Sequence, residues 1–345
     1  MNEIQEQLQV YYVAKYQDWT NVRVEGLVNL NSGWESDVSA FDLTYELDSR
    51  YYKKPLILRI YPGDDAREKA KREFEGMRAL HQVGYPVPQV FILEEEASPF
   101  GKPFLIMERI DGQSMWRKIS KASEEDKILY LEQFCRLFLQ LHNLDWHILG
   151  NTQAVEGGGA YFFVDSYLDL TRFYLERFQL SGFLPVLDWL RIRRNRVPCD
   201  RPSLTHWDFH PENILLTSDD VAYVIDWTSI QVCDWRFDLA WTLLLMGSYE
   251  GDEVRQIILS EYERQAGAQI EELEFFDVYA CIRRLGSVLI SIRSGPEKLG
   301  MRPGSEEIML RQLPALARVY QLMMERTGIA VPEIELLFNE KGINQ

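Results

Sequence analysis

Apolar and polar residues alternate along the first hundred residues, which is the pattern of half-buried strands. Residues 22–30 and 38–47 predict two strands joined by a turn at 31–33. Residues 56–60 form a further short β run, which ends before Pro62. The first part of the chain is therefore predicted to form a small antiparallel sheet.

The pattern then changes to apolar residues three and four positions apart, which predicts a helix. Asp64 or Asp65 is the expected N-cap, and Gly84 marks the end of the helix. Two more strands, at 90–93 and 103–108, are predicted on either side of a turn-rich segment.

From Ser114 onward the sequence is mainly helical and amphipathic, with a β-like interruption at 204–230. The predicted fold class is α+β. Residues 1–107 would form a small β-rich lobe, 108–112 a connector and 113–345 a larger helical lobe. A cleft between two such lobes is a natural ligand site.

Composition narrows the function classes. The 345 residues are 46% hydrophobic, which is enough for two cores, and the formal net charge is −16. Such acidity disfavours nucleic acid as a partner, because phosphate binding needs a basic face. It would suit a cationic substrate, although acidic charge also serves solubility.

Localisation is predicted from what the sequence lacks. It has no apolar run of the ~18 residues that a membrane helix needs, and its polar, acidic first residues are not typical of a secretory signal. Four scattered cysteines, without metal-binding spacing, indicate reduced thiols. We expect a cytoplasmic protein without a membrane partner.

Residues 204–227 carry the candidate chemistry. Two apolar runs flank a turn at 218–220, which predicts an antiparallel hairpin. If the hairpin is centred between residues 219 and 220, Asn213 faces Asp226 with backbones roughly 5 Å apart. Two converging oxygen ligands suit a hard cation such as Mg²⁺.

Asp208 lies five positions before Asn213, on the loop that enters the same hairpin. A carboxylate there can orient an attacking hydroxyl and accept its proton, while Mg²⁺ neutralises charge on phosphate oxygens. Asp and Asn also favour turns and caps for local reasons. His206 is expected to be structural, and His210 is left open between a structural and a functional role.

The spacing His206-x-Asp208-x-x-x-x-Asn213, followed by Asp226 and by residues 234–240, resembles the aminoglycoside phosphotransferase and choline kinase-like family. This resemblance implies a protein-kinase-like fold with two lobes. It implies that Asp208 is the catalytic base and that Asn213 and Asp226 are the metal ligands.

By the same resemblance, Asp238 would brace the catalytic loop and cap the next helix. Arg59 would bind phosphate, and Glu73 on the following helix would pair with it. Residues 107–112 would be the connector that contacts adenine, with Met107 behind the base and the main chain of Glu108 and Ile110 hydrogen-bonded to it.

Two features depart from the family pattern. Arg59 stands where lysine is commoner; a guanidinium can bridge phosphate and carboxylate, but its reach differs. Lys53 and Lys54 are alternatives, although they precede the β run. The predicted phosphate loop has one glycine and no GxGxxG, so that backbone amides near Gly33 and the Ser36 hydroxyl are its candidate phosphate ligands.

The expected function is an Mg²⁺- and ATP- (or GTP-) dependent phosphotransferase that acts on a hydroxyl of a small molecule. Net charge favours a cationic acceptor such as an aminoglycoside or amino-alcohol. The alternative is a nucleotide-binding pseudokinase, which Arg59 and the sparse phosphate loop favour. A protein kinase is disfavoured, because only eleven residues separate Asp226 from Asp238. The acceptor, any role in antibiotic resistance and the oligomeric state are left open.

Overall fold

Two units of the chain, which we call the sheet unit and the helical unit, each have their own core. In the computed structural model the described residues are 3–30, 36–96, 98–150, 153–301 and 304–342. The sheet unit comprises Met1–Gln113, Leu215–Thr228 and Gly300–Arg302. The helical unit comprises Ser114–Ile214, Ser229–Leu299 and Pro303–Gln345.

A five-stranded antiparallel sheet of order β1-β2-β3-β5-β4 forms the centre of the sheet unit. Its strands are β1 (Thr20–Asn29), β2 (Asp37–Leu47), β3 (Arg50–Ile60), β4 (Val90–Glu94) and β5 (Phe104–Glu108). The predicted strands are confirmed, but β3 begins earlier than residue 56. Residues 50–55 also pair with β2, as far as the pair Arg50 and Leu47. Strand β3 therefore begins directly after the tight turn at residues 48–49. The predicted turn at 31–33 lies outside the described residues.

Helix α1 (Glu3–Lys15) packs against the sheet through Leu8 and Tyr12, which are buried among the sheet's core residues. The ring of Trp19, just after α1, stacks on Tyr45 of β2 with centroids 3.7 Å apart. We did not predict α1, because few of its residues are strongly apolar and its burial depends on the sheet.

Helix α2 (Ala66–Gln82) confirms the predicted helix. Asp65 occupies the N-cap position, but its side chain makes no capping hydrogen bond and instead pairs with Lys69 at 3.2 Å. After the helix, Gly84 adopts φ +75°, which suits glycine. The buried face of α2 includes Glu73, a carboxylate that is fully buried.

Helices dominate the second unit, as the sequence predicted. They are α3 (Met115–Ile119), α4 (Glu124–Asn143), α5 (Gln153–Glu156), α6 (Phe162–Arg177), α7 (Leu184–Arg193), α8 (Trp235–Glu250), α9 (Asp252–Ala266), α10 (Leu273–Ser294), α11 (Ser305–Arg311), α12 (Leu313–Thr327) and α13 (Pro332–Lys341). Among the described helices, none combines the length and apolarity required to cross a bilayer.

Short strands interrupt the helices, some of them within the predicted β segment 204–230 and others outside it. Strands β6 (Gln113–Ser114), β8 (Ile214–Leu216) and β9 (Ala222–Val224) form one small sheet of order β6-β8-β9. Strands β7 (Pro202–Thr205) and β10 (Gln231–Asp234) pair antiparallel within the helical unit. The β7–β10 pair frames the loop that begins at His206.

The predicted register of the β8–β9 hairpin was wrong by one residue. Thr217 N–H donates to Val221 O at 3.0 Å, and Asp220 N–H donates back to Thr217 O at 3.2 Å. Asp220 adopts φ +58°, so that the turn contains a bulge residue. Residues whose numbers sum to 438, rather than 439, are therefore opposite each other.

Asn213 and Asp226 lie outside the ladder that the prediction used. Asn213 ends a 3₁₀ turn, Pro211–Asn213, just before β8. Asp226 follows β9 in left-handed backbone, with φ +68°. Strand pairing therefore does not determine the placement of these two side chains.

Gly112 in the connector leaves no room for a side chain, since a Cβ there would lie 2.6 Å from Leu216 O. We predict that Gly112→Ala lowers the free energy of unfolding by about 1–3 kcal/mol, as overpacking does. Gly286→Ala in α10 is the control, because a Cβ there meets nothing within 4 Å and alanine favours helix. Urea unfolding of both variants measures the effect, and equal stabilities would contradict the prediction.

Candidate functional site

Asp238 of α8 holds the loop that follows β7. Its buried carboxylate accepts hydrogen bonds from the backbone N–H groups of His206 at 2.6 Å and Trp207 at 2.7 Å. Trp207 has φ +66°, an uncommon conformation for a large residue. The carboxylate therefore stabilises a loop conformation that its own residues would not favour, as the bracing prediction for Asp238 required.

The second part of that prediction was wrong, because Asp238 does not cap α8. The N-cap is Asp234, whose Oδ1 accepts the N–H of Arg236 at 3.0 Å. Asp238 lies in the first turn, where its side chain is directed to the loop and to His142 at 3.3 Å. Two nearby aspartates thus divide the two roles.

Asp208 is a partly exposed carboxylate of this loop, with 45% of its side chain accessible. His210 Nε2 lies 3.3 Å from Asp208 Oδ2, and Trp241 Nε1 donates to Asp208 Oδ1 at 3.5 Å. Burial by itself would raise the pKa of Asp208, but the imidazoles of His210 and His206 and the Trp241 N–H outweigh it and hold the pKa well below its usual range.

His206 is fully buried and faces the backbone of the same loop. The Asp208 N–H donates to His206 Nδ1 at 3.3 Å. This contact supports the structural role predicted for His206.

Asn213 has its amide nitrogen committed. Nδ2 donates to the backbone oxygen of Asp208 at 2.9 Å and to its Oδ2 at 3.2 Å, and it also lies 3.2 Å from His210 Nε2. These contacts leave Oδ1 as the atom that can accept a cation. The structure thus brings Asp208 and Asn213 together, and it adds His210 to them.

Glu73 is the corresponding buried carboxylate of the sheet unit. Its Oε1 accepts from Arg59 Nη1 at 2.8 Å and from the backbone N–H of Trp227 at 3.2 Å, while Tyr61 OH donates to Oε2. The predicted pair of Arg59 and Glu73 is confirmed. Burial raises the pKa of Glu73, and Arg59 opposes that rise.

Arg59 makes two further contacts. Its Nε donates to Ser36 Oγ at 2.7 Å, and its Nη2 donates to Asp226 Oδ1 at 2.7 Å. Burial disfavours the charged guanidinium, but Asp226 and Glu73 outweigh this effect and raise the pKa of Arg59 above its ordinary value. Asp226 remains 33% exposed, so that part of its carboxylate is open to solvent.

The connector presents its main chain selectively. Glu108 N–H donates to Gln89 O at 2.8 Å, and Arg109 N–H donates to Pro55 O at 3.3 Å. Glu108 can therefore offer a ligand only its carbonyl oxygen, whereas Ile110 follows after β5 has ended. Met107 lies on β5 and is 6% exposed.

Several contacts in both units were not predicted. Tyr61 and Trp227 complete the hydrogen bonds of Glu73, and Trp241 approaches Asp208. Arg59 is a buried residue of β3. A buried arginine needs polar partners, so that its position in an apolar strand was a signal in the sequence for these contacts. Gly33 lies outside the described residues, and Ser36 is buried against Arg59.

We predict that Glu73→Gln lowers the free energy of unfolding by roughly 1.5–3 kcal/mol, because it weakens charge-assisted hydrogen bonds in the interior. Glu75→Gln on the same helix is the matched control. Glu75 is exposed and lies 4.0 Å from Lys71, so its loss should have little effect. Chemical denaturation of the two variants measures this difference, and a Glu73→Gln protein as stable as the control would refute it.

Comparisons with known proteins identify the family. The model of the phosphotransferase enzyme family matches residues 27–276, which is more than half of the chain. The curated relatives are much longer proteins. Over 181 residues the chain is 30% identical to rat acyl-CoA dehydrogenase family member 11, which corresponds to 50% of this chain and 23% of the rat protein. Over 248 residues it is 25% identical to the human protein of that name, covering 68% of this chain and 30% of the human one.

Solved structures agree in fold. The chain superimposes on a protein of aminoglycoside phosphotransferase type from Ralstonia eutropha with TM-score 0.66 and 17% identity, covering 94% of this chain and 98% of the other. Plasmodium vivax ethanolamine kinase gives TM-score 0.58 and 15% identity, with 94% and 91% covered. A ternary complex of aminoglycoside phosphotransferase APH(4)-Ia with AMP-PNP and hygromycin B gives 0.57 and 15%, with 91% and 97% covered. The predicted α+β, protein-kinase-like fold is therefore confirmed, and the chain belongs to the phosphotransferase enzyme family.

Proposed function

We propose that this protein transfers the γ-phosphoryl group of ATP to a hydroxyl group of a small molecule. The observation that carries the proposal is the loop of Asp208 and Asn213, which Asp238 braces from α8. A loop used only as a turn would not need an exposed, ionised carboxylate beside an amide with its oxygen left open. Solved proteins of this fold are described in complex with AMP-PNP, which supports ATP as the donor. GTP is measured beside ATP in the experiment below.

Asp208 would accept a hydrogen bond from the attacking hydroxyl and take its proton. Its lowered pKa makes it a weak base. This suits a loose phosphoryl-transfer transition state, in which orientation of the nucleophile matters more than early proton removal. His210 and Trp241 would hold the carboxylate in position.

Asn213 and Asp226 each offer an oxygen atom that suits Mg²⁺. Asn213 has an uncommitted amide oxygen, and Asp226 keeps part of its carboxylate exposed. Hard oxygens in small number, completed by phosphate and water, are what Mg²⁺ takes in nucleotide sites. When bound, Mg²⁺ would neutralise charge that develops on the phosphate oxygens.

In the sheet unit, Arg59 would bind phosphate, and Glu73 would hold the Arg59 guanidinium in place. Ser36 would assist from its contact with Arg59, together with amides near Gly33. Adenine would be hydrogen-bonded by the Glu108 carbonyl and the Ile110 N–H, with Met107 behind it. The Glu108 N–H already donates to Gln89 O, so that it does not compete with the Ile110 N–H as a donor to adenine.

Two observations bear on the chemical class of the acceptor. Proteins of this fold are named for aminoglycosides and ethanolamine, which carry hydroxyl groups and amines. The charge of −16 likewise favours a cationic acceptor, but it sums groups over the whole surface. Groups next to Asp208 will act more strongly than that distant charge.

A second candidate is a nucleotide-binding protein without turnover. The observation in its favour is Arg59, which already bonds Glu73, Asp226 and Ser36. Three of the five N–H donors of this guanidinium are thus engaged by protein groups, which leaves fewer for phosphate. Nucleotide binding without product formation on any acceptor would support this candidate.

We predict that Asp208→Asn lowers turnover by about 100-fold or more, because a positioned base is lost. Nucleotide affinity should stay within a few-fold of wild type, whereas Asp226→Ala should lose the Mg²⁺-dependent part of that affinity. Nucleoside diphosphate release is measured with ATP and with GTP over an acceptor panel, and calorimetry gives affinity.

Asp219→Asn is the control for these two variants, since Asp219 is exposed in the hairpin turn. It should retain full activity. Wild-type turnover in Asp208→Asn would sink the assignment of the base, and unchanged Mg²⁺-dependent affinity in Asp226→Ala would sink that of the ligand.

A pH profile tests the environment of Asp208. Asp208 acts only when ionised, and its lowered pKa keeps it so into acid. Replacing His210 by Gln removes a group that lowers this pKa, so the pKa rises and the acid limb of kcat/KM moves to higher pH. Coinciding acid limbs in wild type and His210→Gln would contradict the prediction.

A further inference from the structure

Arg283 of α10 is a basic residue in the neighbourhood of Asp208 that the proposed mechanism does not use. Its guanidinium carbon lies 4.0 Å from the ring centroid of Trp241 and 4.6 Å from that of Trp207. Both tryptophans belong to the surroundings of Asp208, since Trp241 donates to its carboxylate and Trp207 precedes it in the chain. Two indole rings thus hold a guanidinium close to the candidate base.

Two N–H groups of this cluster lack partners. Arg283 Nη1 and Trp207 Nε1 are buried atoms without a hydrogen-bond acceptor among the described residues. Buried donors are paired in nearly all proteins, and an exception calls for a missing partner. The unpartnered donor of Arg283 therefore indicates that this guanidinium can take an acceptor from outside the protein.

The charge of Arg283 is also not neutralised locally. Burial lowers its pKa, and this effect is opposed first by Tyr279 and Tyr167 and then by the carboxylates of Asp208 and Asp238. Asp208 is already bonded to His210 and Trp241, and Asp238 to the backbone of the loop. Both carboxylates therefore have other partners, and the guanidinium keeps donors to offer.

We propose that the phosphoryl acceptor carries an anionic group, a carboxylate or a phosphate, which binds Arg283 while its hydroxyl lies at Asp208. This inference rests on the proposed phosphotransferase function and names its substrate class. A guanidinium fork matches both anions, and stacking on indole fixes its plane without using its N–H donors. The positive charge of Arg283 next to Asp208 therefore favours an anionic acceptor, whereas the negative net charge of the chain favoured a cationic one.

Arg283 would act as a specificity residue. An anion on it places the rest of the acceptor at a set distance from Asp208, and hence selects which hydroxyl reacts. A neutral analogue would leave the guanidinium buried without a counter-charge, and a cationic one would be repelled. Discrimination of this kind comes from unpaired polar groups in the wrong complex.

The experiment compares acceptors that differ only in charge. Lactate and longer hydroxycarboxylates are tested against their primary amides, glycerol phosphate against glycerol, and ethanolamine and gentamicin serve as cations. ADP release with Mg-ATP gives kcat and KM. Thermal shift of the full chain saturated with Mg-ADP gives acceptor binding without turnover.

Arg283→Gln removes the charge, and Arg283→Lys keeps it without the fork. Arg284→Gln is the matched control, because the next residue on the same helix instead bonds Tyr249 at 2.8 Å and Gln312 at 3.2 Å. We expect anionic acceptors to be preferred by wild type and by the control. In Arg283→Gln their KM should rise about 10- to 100-fold, the effect of one or two charge-assisted hydrogen bonds. Neutral members should change little, and Arg283→Lys should be intermediate.

The carboxylate and phosphate arms show which anion is the natural group. Turnover confined to neutral or cationic acceptors would overturn the inference and leave the proposed function standing. Stabilisation by anions that needs Arg283, without turnover on any acceptor, would show an anion site at Arg283 but refute the proposed function, and with it the inference that the anion belongs to a phosphoryl acceptor. An equal loss on charged and neutral acceptors in Arg283→Gln, or anion preference that survives it, would make Arg283 only a brace for the tryptophans and overturn the inference.

Discussion

The buried carboxylate of Glu73 is the constraint on which the sheet unit depends. An ionised group without water is tolerated only when charge and hydrogen bonds compensate it. Glu73 on α2 meets this condition with donors from two other parts of the chain, Arg59 and Tyr61 at the end of β3 and the Trp227 backbone after β9. The helix, the sheet and the returning segment are therefore held to one another by a single acid.

The helical unit uses the same device with a backbone target. Asp238 is fully buried, and its two oxygens accept the N–H groups of His206 and Trp207. The loop needs this support because Trp207 adopts a left-handed backbone. In both units a buried acid fixes the residues beside a second, partly exposed carboxylate, Asp226 in one and Asp208 in the other. Rigidity is thus supplied by groups that would not themselves take part in chemistry.

Local charge and total charge give opposite indications about the ligand. The chain is strongly acidic as a whole, but Arg283, which contacts two indole rings near the candidate base, has a donor without an acceptor among the described residues. Exposed charges act weakly beyond a Debye length, whereas a guanidinium at contact distance and out of water acts strongly. Under the proposed function, local charge rather than composition would therefore select the acceptor.

The sequence by itself determined the α+β class, the order of the five strands and α2 in the sheet unit, and the spacing of Asp208, Asn213 and Asp226, because periodicity and turn residues are local signals. It also indicated the pair of Arg59 and Glu73, since a buried charge needs a partner. Only the tertiary structure decided the hairpin register, which depends on the left-handed Asp220, and the division of bracing and capping between Asp238 and Asp234. It alone brought Trp241 and Arg283 together with Trp207, because these residues are far apart in the chain and only packing of α8 and α10 makes them neighbours.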